Sequence, residues 1–290
     1  MMWVQFLIGV LSLGFFYTLT ALGFSLIFGV THAFNLAHGE LIVLSGYIAY
    51  GLMKGFGWAF WMTLPVCMLC LSLVLIGIHQ VLNKVGEPYE LNSLVMTFGI
   101  ALIAQNIMLF LFSADYRLIP SFEDTVFSPF PGTTVTSTHL WSFVLSSAAT
   151  AGVFLMLHRT YLGKALRATI QEREAAMLAG IHVRRMKKVA FAIGGLLIGL
   201  AGPIFGRLAY LHPAGGMEAT LIAIVITIFA GVGHVRSLLL GACVLAALES
   251  GASLVLGTNW RELVSALILI VLLLWKPHGL LVGKRSAPEL

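Results

Sequence analysis

Ionisable side chains are scarce in this chain. Asp, Glu, Lys and Arg together make up 10% of 290 residues, against 59% hydrophobic. A soluble domain carries about a quarter charged residues, and a disordered segment is poorer still in apolar ones, so both classes are excluded. Cysteine is scarce too, at three residues, which excludes a disulfide-stapled secreted module. Two of them, Cys67 and Cys70, form a C-x-x-C inside an apolar run, but no second pair follows at metal-ligand spacing, and we read them as packing residues. The nine histidines are scattered, without H-x-x-x-H or H-E-x-x-H, so no metal site is expected. No Ser-His-Asp grouping or carboxylate pair can be argued, so no catalytic residue is expected either. A phosphate-binding G-x-x-x-x-G-K-[ST] loop is likewise missing, since Gly163-Lys164 lacks both the upstream glycine and the following Ser or Thr.

What the chain has is long apolar runs and a mean hydropathy of +0.97. Its first 39 residues hold no Asp, Glu, Lys or Arg, as a spanning segment requires when a mid-bilayer charge costs several kcal/mol. That first run, Phe6–Val30, lacks a basic leader and a small-x-small cleavage site, so we read it as a retained helix. Eight further runs follow at Leu41–Met53, Ala59–Val81, Leu91–Ser113, Leu140–Leu157, Val189–Gly206, Ala219–Val235, Leu238–Leu256 and Leu263–Trp275. A crossing needs about 20 residues, and Leu41–Met53 and Leu263–Trp275 have only 13 each. The expectation is an all-α, polytopic integral membrane protein: one transmembrane domain over 1–290, with eight or nine crossings and a short or re-entrant second segment.

Charge placement gives the orientation. The segment Arg159–Lys188 holds eight basic and two acidic residues, net +6, while the rest of the chain has nine basic and ten acidic. Basic residues flanking spans stay on the cytoplasmic side, which places loop 159–188 inside, together with Lys84 and the C-terminal Lys276, Lys284 and Arg285. Loop 114–139 then lies outside, with Asp115, Glu123 and Asp124 against Arg117, and with Pro120, Pro129 and Pro131 to break any helix. A membrane-flanking loop explains the basic balance, so no nucleic-acid partner is expected.

Within the cytoplasmic loop, Gly163 to Val183 reads as a helix over Lys164–Leu178, a glycine stop at Gly180 and a restart. A short amphipathic helix followed by a sharp turn is a surface that another protein can grip. Glu174-Ala175-Ala176, three residues, then Gly180-Ile181 resembles the coupling loop of ABC-importer permeases. The whole string, with Arg167, is similar to the version in the branched-chain amino-acid transport permease family, specifically the shorter of its two permease subunits. Asn35-Leu-Ala-His-Gly-Glu40, Ala201-Gly202-Pro203 and Lys276-Pro-His-Gly-Leu280 resemble three further motifs of that family, in order along the chain. Two positions depart from it: Ala230-Gly231-Val232-Gly233 stands for Gly-Gly-x-Gly, and Lys276 for an arginine.

The resemblance implies a translocation subunit without its own ATPase or cofactor. ATP and Mg would be bound by two cytoplasmic ATPase subunits. The other implied partners are a second, non-identical permease and a soluble periplasmic binding protein, the whole set in a bacterial inner membrane. Branched-chain amino acids are the implied substrates, with urea, amides and small organic acids as alternatives within the class. A secondary carrier is the rival outside it, and would need a relay of acids and bases within the spans.

Few polar groups fall inside the apolar runs. Asn35 and Glu40 can serve as cap and first-turn acid of the second segment. Alternatively Asn35, His38 and Glu40 line the translocation path at a discontinuous helix. Glu249, isolated in Leu238–Leu256, is either paired to another helix or part of that path. Arg207 and Glu218 bracket a turn-rich loop and read as interface anchors. Gly51-x-x-x-Gly55, Gly195-x-x-x-Gly199 and Gly202-x-x-x-Gly206 predict close helix packing.

Overall fold

The computed structural model describes residues 2–119, 126–127 and 135–257, with 260, 263, 266–267 and 270–271. Among them run ten helices: α1 (Met2–Thr31), α2 (His38–Phe56), α3 (Phe60–Leu82), α4 (Tyr89–Phe112), α5 (Ser137–Arg159), α6 (Tyr161–Gln171), α7 (Arg173–Leu178), α8 (Val183–Leu208), α9 (Gly216–Ala230) and α10 (Val235–Leu256). Most of Leu263–Trp275, all of Lys276–Leu280, and Pro120, Glu123, Asp124, Pro129 and Pro131 lie outside the described residues. The all-α expectation holds, apart from a two-stranded hairpin, β1 (Val126–Phe127) with β2 (Val135–Thr136), in the loop before α5.

Six helices, α1, α3, α4, α5, α8 and α10, are long and apolar enough to cross a bilayer. The expected count of eight or nine crossings is not confirmed. Leu263–Trp275 lies mostly outside the described residues, and the remaining difference lies with α2, whose 19 residues carry His38 and Glu40 at one end and Lys54 at the other, and with α9, which has 15 residues. At 1.5 Å per residue α9 is about 22 Å long, short of the ~30 Å hydrocarbon.

The helix α8 is the centre of the bundle, with 72% of its span buried, against 22% for α4 and 28% for α5. It packs on α1, α2 and α3, and its glycines make this possible. A Cβ on Gly195 would lie 2.5 Å from Ser72 Cα, and one on Gly199 2.5 Å from Met68 Cα and Cys67 O. Gly202 meets Ser45, Ile42 and Gly46 of α2 as closely. Glycine in a helix interior costs about 0.5–1 kcal/mol, which the backbone-to-backbone approach offsets where lipid supplies no hydrophobic drive. The Gly51–Gly55 pair behaves otherwise: a Cβ on Gly51 would meet Phe112 at 3.8 Å, and one on Gly55 would meet no other part of the bundle within 4 Å.

The entry of α2 is unusual. After α1 ends at Thr31 the chain turns back through residues 32–37, and α2 starts inside the bundle. The His38 Nε2 is 3.0 Å from the carbonyl oxygen of Thr20, eleven residues and so about 16 Å before the end of α1. Thr97 of α4 pins the turn, its Oγ1 accepting from Leu36 N–H (3.2 Å) and donating to Phe34 O (3.3 Å). From there α2 runs to the opposite face, where Arg117 forms a backbone bridge with Leu211. The Arg117 guanidinium donates to Phe112 O (2.7 and 3.1 Å) and Tyr50 Oη (3.1 Å). The Tyr50 hydrogen bond, foremost, raises the Arg117 pKa, so this residue keeps its charge.

Candidate functional site

Three places gather the residues singled out by sequence. The first is the pair α6–α7. Thr160 caps α6, its Oγ1 accepting from Gly163 N–H at 3.1 Å. Gly163 lies so close to Met156 and Leu157 that no side chain fits, which folds α6 flat against the end of α5. The single helix expected over Lys164–Leu178 is two helices, because Glu172 is extended (φ −153°, ψ 106°). That turn brings Ala176 back against the bundle, where it is 3% exposed. Glu174 and Ala175 remain exposed, Ile181 and Arg167 are half-buried, and Leu178 at the end of α7 is 91% exposed. Gly180 holds φ +80° as a left-handed stop. The turn is closed by Gly180 N–H to Met177 O and Ile181 N–H to Ala176 O, both 3.0 Å.

The inner side of α6 carries Ile170, which helical spacing places on the apolar face with Leu162 and Leu166. Ile170 wedges between two glycines: a Cβ on Gly29 would lie 3.3 Å from Ile170 Cδ1, and one on Gly233 3.2 Å from its Cγ2. Gly29 belongs to the last turn of α1, and Gly233 to the loop that joins α9 to α10. Gly233 has φ +83°, and its N–H donates to Ser25 Oγ of α1 at 3.2 Å. The signal was present in sequence as the glycine-rich stretch 231–233, but its partner was not.

The second place is the meeting of two helix N-termini deep in the bundle. Gly39 N–H donates to Thr220 Oγ1 at 2.8 Å, and Gly216, the first residue of α9, packs against the backbone and carboxyl group of Glu40. Asn35 does not cap α2 itself: its Oδ1 accepts from Ala37 N–H at 3.1 Å, one residue before the helix. Glu40 does occupy the first turn of α2, where the positive helix pole favours an acid. Asn35, His38 and Glu40 are 3%, 0% and 6% exposed, yet Asn35 Nδ2, His38 Nδ1 and Glu40 Oε2 find no hydrogen-bond partner among the described residues. Buried polar atoms are nearly always satisfied, so this node, edged by Phe24 against the His38 ring, has donor and acceptor capacity to spare. Gly39 belongs to the 35–40 motif and Gly216 to the turn-rich loop that the sequence marks, but their crossing and the part of Thr220 in it were not visible there.

The third place is Glu249 on α10. It is fully buried and accepts a 2.6 Å hydrogen bond from Tyr17 of α1. With Gln5, Gly9 and Ser253 it lines a cavity of about 440 Å³ between the two helices. Glu249 thus joins α1 one turn from Thr20, the residue that holds His38, but it is not part of the Asn35–His38–Glu40 node. No group of three His, Cys, Asp or Glu side chains could hold a metal ion among the described residues.

Comparison with known proteins adds the following. The family model described as "Branched-chain amino acid transport system / permease component" matches residues 6–273. The high-affinity branched-chain amino acid transport system permease protein BraD of Pseudomonas aeruginosa is 24% identical, over 96% of this chain and 95% of that one. A probable branched-chain amino acid transport permease protein LivH of Methanocaldococcus jannaschii is 27% identical, over 90% and 87% respectively. Among solved structures, PsaBC from Streptococcus pneumoniae, in complex with Fab, superposes with a TM-score of 0.55 at 11% identity, covering 94% of this chain and 92% of that one. This last likeness is one of fold.

Proposed function

Because the chain belongs to the branched-chain amino acid transport permease family, a multi-pass membrane family, we propose that it is the translocation subunit of a binding-protein-dependent ABC importer in a bacterial inner membrane. Its cargo is a branched-chain or related amino acid. Energy comes from two ATPase subunits on the cytoplasmic face, which bind the ATP and Mg. A second, different permease completes the pore, and a soluble periplasmic protein delivers substrate. Loop 159–188 and the C-terminus face the cytoplasm, by the weight of basic charge.

One observation supports this reading above the others: an exposed helix pair with apolar Leu178 at its tip is wedged, through Ile170, against the ends of α1 and α9. A force on α7 therefore reaches α9, whose other end is the Gly216–Gly39 crossing. Movement of α9 away from α2 opens the node and uncovers Asn35, His38 and Glu40 to the translocation path, with Glu249 bordering the path on α10. The node's spare atoms suit a passing zwitterionic amino acid, its ammonium group facing Glu40 and its carboxylate the Asn35 amide.

Ile170→Ala, in the transporter reconstituted with its partners, tests the coupling. Substrate delivery and ATP hydrolysis continue while uptake falls, because the wedge is gone and the subunit contacts are kept. Uptake at the wild-type rate would refute the route through Ile170.

A further inference from the structure

Beside α7 lies a cavity of about 980 Å³ whose lining includes Lys84, Arg173, Arg184, Arg185, Lys187 and Lys188, and no Asp or Glu. Among the described residues none of these six cations makes an ion pair. Four of them crowd the start of α8, which has no acidic residue in its first turn and no side-chain cap from His182. A helix N-terminus is a positive pole that normally attracts acids, so α8 begins with cations where its own dipole repels them. Such an arrangement is relieved by an anion that the chain itself does not supply.

The surroundings say what kind of anion. Along α3, Leu69, Leu73, Gly77 and Gln80 follow at spacings of four, four and three, which is one face of a helix, and Lys84 lies two residues past its end. Leu69 and Leu73 are 62% and 69% exposed, whereas Gln80 and Lys84 line the cavity. Lys84 is held beside the helix end by a tight turn in which its N–H donates to Val81 O at 3.0 Å. Across the cavity Lys187 stands over the Tyr89 ring at 5.3 Å, at the start of α4, an apolar helix with only 22% of its span buried. An exposed apolar ridge therefore runs directly into a cationic chamber at the membrane edge.

We propose that this cavity is a binding site for an anionic phospholipid. Its phosphate sits among Arg184, Lys187, Lys188 and Lys84, and its acyl chains lie along the Leu69–Leu73 ridge. Basic pockets between spans bind anionic headgroups by this electrostatics. The ridge favours a lipid over a free anion, and the approach from the side of α3 favours it over an ATPase, which arrives from water. The lining also takes in Met177, Gly180 and Ile181 of the loop assigned above to ATPase coupling, so lipid retention and ATPase recovery are read separately in the test.

The test uses the complete transporter, reconstituted in phosphatidylcholine bilayers with and without phosphatidylglycerol, then released in detergent for native mass spectrometry. Phosphatidylglycerol should be retained in preference to phosphatidylcholine, and each cation removed should lower its retention about fivefold, equivalent to about 1 kcal/mol. Arg184→Gln with Lys187→Gln and Lys188→Gln should then abolish the preference. Lys84→Gln, exposed and beyond the end of α3, gives the single-step loss even where the triple variant does not assemble. Leu73→Ser should weaken retention with all cations in place. Retention unaffected by Leu73→Ser but competed by inorganic phosphate would overturn the proposal in favour of a soluble anion. Loss of the ATPases from the variants with lipid retention unchanged would overturn it in favour of a docking surface.

Discussion

Replacing Gly39 by alanine should separate α2 from α9. A Cβ there would fall on the carbonyl oxygen of Gly216 and lie 2.6 Å from Thr220 Oγ1 and 2.7 Å from Thr220 N. Two of these three obstacles are backbone, which cannot swing aside, so the helices themselves must move apart. Overpacking of this kind costs about 1–3 kcal/mol, and losing the Gly39 N–H···Thr220 bond adds about 0.5–1.5 kcal/mol, for a total of about 1.5–4.5 kcal/mol. The same helix contains its own control. Gly55 has nothing within 4 Å of the added methyl, so Gly55→Ala should be neutral or stabilising by up to about 1 kcal/mol. Thermal midpoints of the detergent-solubilised transporter, read by the monodisperse fraction after heating, should fall for Gly39→Ala and hold or rise for Gly55→Ala, and uptake should fall only in the former. Equal midpoints for the two variants, or normal uptake by Gly39→Ala, would refute the crossing as described.

Other substitutions separate strain, pairing and docking. Gly180 is open to solvent but left-handed, so Gly180→Ala should cost about 1–2 kcal/mol locally, reduce uptake more than it reduces the thermal midpoint, and be partly rescued by Gly180→Asn, which tolerates that conformation. Tyr17→Phe removes a 2.6 Å hydrogen bond to a buried carboxyl group and should destabilise by about 1.5–3 kcal/mol; a double-mutant cycle with Glu249→Gln should show coupling, and strict additivity would contradict the pairing. Leu178, 91% exposed, should tolerate serine with no change in midpoint, while the yield of co-purified ATPase drops.

The sequence made some of this legible for physical reasons. Gly180 was visible because a left-handed stop needs a residue without Cβ, and Gly195, Gly199, Gly202 and Gly206 because close packing in lipid needs small residues. The start of α2 was only partly visible, through Glu40 as a first-turn acid. An apolar-run criterion starts it at Leu41, but the helix begins at His38, since Gly39 and Glu40 are held by α9 rather than by their own hydrophobicity. Likewise the break at Glu172 interrupts a segment whose spacing is compatible with one continuous helix. Pairings across the bundle, such as Tyr17 with Glu249 at a separation of 232 residues or Ile170 with Gly29 and Gly233, leave no periodic trace in a single sequence. Glu249 could be read as costly from its isolation among apolar residues, but its partner required the fold.

The central claim is that α6 and α7 couple this chain to ATPase subunits. The most direct measurement is to purify the tagged chain from its native membrane in mild detergent and determine the mass and stoichiometry of what accompanies it, beside the Leu178→Ser variant. The account predicts two copies of a Walker-motif ATPase and one different permease with the wild-type chain, and the ATPases depleted from the variant. Recovery of the chain alone, or as a homo-oligomer that takes up substrate without ATP, would contradict it and identify a secondary carrier.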